Sequence, residues 1–91
     1  MNIPESDRAQ INQTLLEPDV FCSTNERFPP EIIKQIEAIF DEALRLPEWD
    51  TGENYMNAGM AAVMVYLKET YPWLSEKARY MIQHECMMYM K

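Results

Sequence analysis

Residues 30–46 place Ile32, Ile33, Ile36, Ile39, Phe40, Ala43 and Leu44 within an arc of about 140° at 100° per residue, and no other feature constrains the chain as strongly. Glu31, Lys34, Glu37, Asp41, Glu42 and Arg45 take the opposite side. Pro30 suits a first helical position, Glu31 follows it at the positive end of the dipole, and Pro47 stops the run. A helix with one apolar face needs a core to lie on. With 91 residues the chain can build one such core and not two.

The other segments supply that core with helices. Residues 5–17 read as a short helix, capped by Ser6, with Ile11 and Leu15 on one face and Pro18 as its stop. Residues 18–29 read as a loop pinned by Val20, Phe21 and Phe28. Residues 51–71 form a second strong helix, opened by Asp50 and Glu53 at capping-box spacing. Between Tyr55 and Leu67 only Asn57 is strongly polar, the pattern of a central, buried helix. Ala58, Gly59 and Ala62 give it a small-residue side that another helix backbone can approach. Residues 75–90 make the last helix, capped by Ser75 and joined by a connection short enough to force an antiparallel neighbour.

Leu, Ile, Val and Phe number only 19, and eight Met and seven Ala make up the deficit. Both favour helix over strand. The expected fold is all-α: a compact single-domain bundle of about four helices, residues 1–91, with no sheet.

The net charge is −7, and it is uneven. Residues 1–53 hold twelve acids and four bases, whereas residues 54–91 hold three acids and four bases. Without clustered cations the chain is poorly suited to nucleic acid or to anionic lipid. Its longest nearly apolar run, residues 55–67, is too short to span a bilayer. Residues 1–5 lack the cationic and apolar regions of a signal peptide. Two cysteines, Cys22 and Cys86, do not make a disulfide framework, so two free thiols in a reducing cytoplasm is the better reading.

Chemistry-bearing clusters are few. His84, Cys86 and the surrounding methionines offer soft ligands, but His84 and Cys86 lie about 200° apart on a helix and cannot share one ion. A Met-rich packing face is the stronger reading, with no metal and no cofactor. The single histidine has no nucleophile arranged around it, and Gly52 and Gly59 cannot build a phosphate loop, so the chain does not read as an enzyme. Helical projection of residues 74–89 puts Leu74, Ala78, Met81, Ile82, Met88 and Tyr89 on one arc with Glu85 near its centre. A carboxylate there calls for a partner, with Arg8, Arg27 or a tyrosine hydroxyl ahead of an exposed gap or another chain.

Two surfaces stand out. The first is acidic, with Asp41, Glu42, Glu48, Asp50 and Glu53 arranged to meet a cationic protein and Trp49 and Tyr55 as apolar anchors, against the reading in which Trp49 folds back onto the core and the acids solvate the turn. This size and charge are shared by neutralising proteins, such as immunity proteins against nuclease toxins and DNA mimics. The leading expectation is a small cytoplasmic protein-binding module of that inhibitory kind. The second surface is Tyr80, His84 and Met87, opposite the core face of the last helix. It supports the alternative, a self-associating accessory subunit or homodimer.

Overall fold

Pro29 and Pro30 open the second helix of the computed structural model, and the chain before and after it follows the expected helical plan. The structure describes residues 3–17, 20–21, 28–50 and 52–90. Its order is α1 (Glu5–Thr14), α2 (Pro30–Leu44), two 3-10 turns (Pro47–Asp50 and Gly52–Asn54), α3 (Tyr55–Thr70) and α4 (Glu76–Met90). No strand occurs among the described residues, so the fold is an all-α bundle of four helices.

The apolar stripe of α2 lies where its spacing requires. Ile32, Ile36, Ile39 and Ala43 are buried, and Ile33, Phe40 and Leu44 pack against the same core. Gln35 is buried with them, its amide donating to Asp7 Oδ2 of α1 at 3.0 Å. Ile11 and Leu15 are fully buried on the other side of that contact. Val20 is buried, and Phe21 stacks at a tilt on Phe40 with ring centroids 5.3 Å apart. Cys22 and Arg27 lie outside the described residues, as does Pro18.

α3 and α4 run antiparallel. The Tyr55 hydroxyl at the start of α3 donates to the Met90 carbonyl at the end of α4, at 3.3 Å, and Gln83 Nε2 donates to the Met60 carbonyl at 2.9 Å. The residue numbers in both pairs sum to nearly the same value, which only opposed helices allow. Ser75 caps α4 as expected, its Oγ accepting from the Ala78 N–H at 3.1 Å. Asn12 ties α1 to this corner. Its side-chain amide donates to the Trp73 carbonyl at 3.0 Å, and its Oδ1 accepts from the Ser75 N–H at 2.8 Å.

Three local expectations are corrected. Ser6 lies inside α1, whose first turn closes on the Pro4 carbonyl with no side-chain cap. Asp50 does not cap α3, because residues 52–54 form a 3-10 turn and α3 starts at Tyr55. The buried line of α4 is Ala78, Ile82 and Cys86, continued by Leu74, while Met88 and Tyr89 are exposed. The core arc is therefore centred between Ala78 and Ile82, and Glu85 lies off its centre and is only half-buried. A helix carrying methionines on every side gives little contrast between faces, so its phase is decided by packing.

Candidate functional site

All seven residues expected to meet a partner fall around the junction of α2, the 3-10 turns and the start of α3, but they do not form one exposed face. Asp41 is exposed and pairs with Arg45 at 2.9 Å, one helical turn on. Asp50 and Glu53 are exposed on the two 3-10 turns. Glu48 is half-buried.

Glu42 turns inward. Its Oε1 accepts two phenolic hydrogen bonds, from Tyr66 at 2.7 Å and from Tyr71 at 2.6 Å. Burial, together with the hydrogen bond and charge of Glu42, holds both phenols above their ordinary pKa. Glu42 is thus a fastening between α2 and the two ends of the last turn of α3, and its carboxylate is not offered to a partner.

Trp49 is turned inward as well, with 5% of its surface exposed. Its indole N–H donates to the Ala43 carbonyl at 2.9 Å, satisfying an acceptor that the end of α2 leaves open. The ring covers Gly59, where an added Cβ would overlap the indole. The small-residue side of α3 is therefore approached at Gly59 by an aromatic ring from a turn. Trp49 cannot serve as an exposed anchor. Tyr55 is half-buried, with its hydroxyl committed to Met90.

The rest of the small-residue side remains open. Ala58, Ala61, Ala62 and Val65 line a groove of about 460 Å³ on the outer face of α3, with Glu48 and Glu69 among its walls. Val65 is 56% exposed. α3 is consequently not the central, buried helix its composition suggested, since only Gly59, Val63 and Leu67 are buried. Ala61 and Val65 carried the signal in the sequence: two apolar residues a turn apart on a helix already supplied with a core face.

The second expected surface is assembled as a unit. Tyr80 and His84 are exposed and Met87 is half-buried, and the three line one hollow of about 350 Å³ with Met60 and Met81. Cys86 faces the other way as a free thiol, its pKa pushed up to about 12 by burial first and by the charge of Glu85 second. His84 and Cys86 thus stand apart as the spacing required. Among the described residues no three His, Cys, Asp or Glu side chains are placed to hold a metal ion. Glu85 is half-buried at the edge of the core, and Arg8, one of its expected partners, instead bonds the Ile3 carbonyl and lies over the Trp73 ring. Among the described residues no helix is long and apolar enough to cross a membrane.

No protein-family model, curated protein or solved structure matches the chain.

Proposed function

We propose that this protein works by binding a cationic protein in a reducing cytoplasm, through the groove on the outer face of α3, and not by catalysis. The single observation that carries the reading is the pairing of an apolar floor (Ala58, Ala61, Ala62, Val65) with carboxylates at Glu48 and Glu69. Small side chains let a second helix come close along the floor, and the carboxylates select Lys or Arg on its flanks. Asp50 and Glu53 extend the acidic field from the adjoining turns and favour fast encounter with a basic partner at low salt. The partner segment is therefore a basic amphipathic helix, and an inhibitory or immunity-type role is the class of activity that suits such a module.

The test uses isotopically labelled protein titrated with two synthetic amphipathic helices of equal apolar face, one flanked by Lys and one by Glu. The Lys peptide should perturb the amides of residues 58–65 and lose affinity steeply as salt rises. Val65→Glu should weaken it by about tenfold or more, as expected for blocking a contact near an interface centre. Glu48→Lys with Asp50→Lys should slow its association while the melting temperature changes little. Equal binding of both peptides, or perturbations that avoid residues 58–65, would sink the proposal.

A further inference from the structure

The outer face of α4 has a different character. A hollow of about 560 Å³ lies among Leu16, Glu76, Lys77, Tyr80 and Met81, and the hollow containing His84 and Met87 adjoins it, sharing Tyr80 and Met81. Tyr80 stands between them as a ridge, 62% exposed, and Leu16 is 52% exposed at one end. Lys77, Tyr80, His84 and Met87 follow at spacings of three, four and three, which keeps them within one narrow stripe of the helix.

We infer that this strip is the contact between two copies of the chain. A two-fold interface uses the same patch twice, so it needs a protrusion and a recess side by side. Tyr80 beside the two hollows supplies both. Charge decides between a second copy and other occupants. A chain of net charge −7 repels itself over most of its surface, and the groove edged by Glu48 and Glu69 would oppose a second copy directly. On the α4 strip Glu76 is balanced by Lys77, and the segment beyond residue 53 carries one more base than acid. This is the face on which two copies meet without a charge penalty.

The extent of the strip sets the strength. From Glu76 to Met87 it covers about 18 Å of α4 at 1.5 Å per residue. A standard interface buries about 800 Å² per partner, roughly a seventh of the 5929 Å² surface of this chain. A strip of this length is shorter than such an interface, which puts the contact in the weak, transient class, with dimerisation expected in the micromolar range. Met60 lies two residues from both Ala58 and Ala62, hence about 200° round α3, so the dimer leaves the acidic groove of each copy open.

Analytical ultracentrifugation across a concentration series tests this. The wild-type chain should pass from one to two chain masses in the micromolar range. Tyr80→Glu should weaken the dimer about 30-fold or more, the loss expected for a tyrosine hot spot. Leu16→Glu should act in the same direction, and it decides the matter if Tyr80→Glu loses helicity by circular dichroism. Val65→Glu should dimerise as the wild type does, which separates this contact from the α3 groove. A wild-type chain still monomeric at about 500 μM, well above the micromolar range of a weak specific contact, overturns the inference. So does a dimer that both substitutions leave intact.

Discussion

Tyr71 donates its phenolic proton to Glu42 at 2.6 Å, and the same oxygen accepts from Tyr66 at 2.7 Å, so one carboxylate fastens α2 to the end of α3. Both phenols are held above their ordinary value of 10.0. A group whose folded pKa is raised contributes stability that is complete below the unfolded value and is lost as pH climbs through the folded one. The melting temperature should therefore hold up to about pH 10, the ordinary phenol range, and fall beyond it. Tyr71→Phe should flatten that alkaline fall. At neutral pH it should cost about 1.5–3 kcal/mol, the range for a hydrogen bond to a charged group. Thermal melts of both proteins between neutral and strongly alkaline pH check the sign.

Trp49 and Gly59 form a matched pair, and each should fail without the other. Trp49→Ala empties a buried site and leaves the Ala43 carbonyl unpaired, for a loss of about 3–5 kcal/mol. In a domain of this size each kcal/mol lowers the melting temperature by roughly 4–8 °C, so the effect is large. Gly59→Ala should also destabilise, although alanine is the better helix former, because its Cβ collides with the indole. Urea unfolding read by tryptophan fluorescence and by circular dichroism measures the second variant. A stabilised Gly59→Ala protein would mean that Trp49 does not sit there.

Asn12 and Ser75 hold the α1 corner by separate bonds. Ser75→Ala removes a helix cap and should cost about 1 kcal/mol. Asn12→Ala removes two hydrogen bonds at once and should cost about 1–3 kcal/mol, at 0.5–1.5 kcal/mol for each bond. Chemical denaturation of the two single variants and the double variant gives their coupling. Additive losses are not expected, since Asn12 Oδ1 bonds the Ser75 backbone itself.

The Cys86 thiol, with its pKa pushed up to about 12 and its side chain in the core, should be inert to thiol reagents near neutral pH. In a Cys22→Ser background, labelling should proceed at the rate of unfolding and become rapid in denaturant. Prompt labelling of the native protein would place Cys86 at the surface and contradict its position on α4.

The elements that could be read from the chain are those whose signal is local. The stripe of α2, Pro30 at its start and the Ser75 cap depend on neighbours within a few positions. Phase failed on α4, where Met81, Met87 and Met88 look alike in composition and only contact with Ile82 and Cys86 distinguishes the faces. Glu42 looked like one more carboxylate on a solvated face, because its donors lie 24 and 29 residues further on. Trp49 between acids allowed both a surface anchor and a fold back onto the core, and the second holds: its place is made by Ala43 on one side and Gly59 on the other. The groove is only faintly marked in the chain: Ala61 and Val65 stand a turn apart outside the core face, but an apolar helix suggests burial, and whether another helix covers that side is decided by residues far away in sequence. Of the partner-binding residues first expected, Glu48, Asp50 and Glu53 remain in the proposed acidic surface.

The Asn12 bonds have a consequence for the order in which the chain assembles. They join residues 61 and 63 positions apart, whereas Trp49 reaches Ala43 across only six. Closing a long loop is entropically costlier than closing a short one, so long-range contacts tend to form after the local ones that shorten the effective loop. The turn around Trp49 is accordingly expected to form with α2 and α3 before the folding barrier, and α1 to dock after it. Removing the Asn12 side chain should quicken unfolding and leave the refolding rate nearly unchanged, while truncating Trp49 should slow refolding.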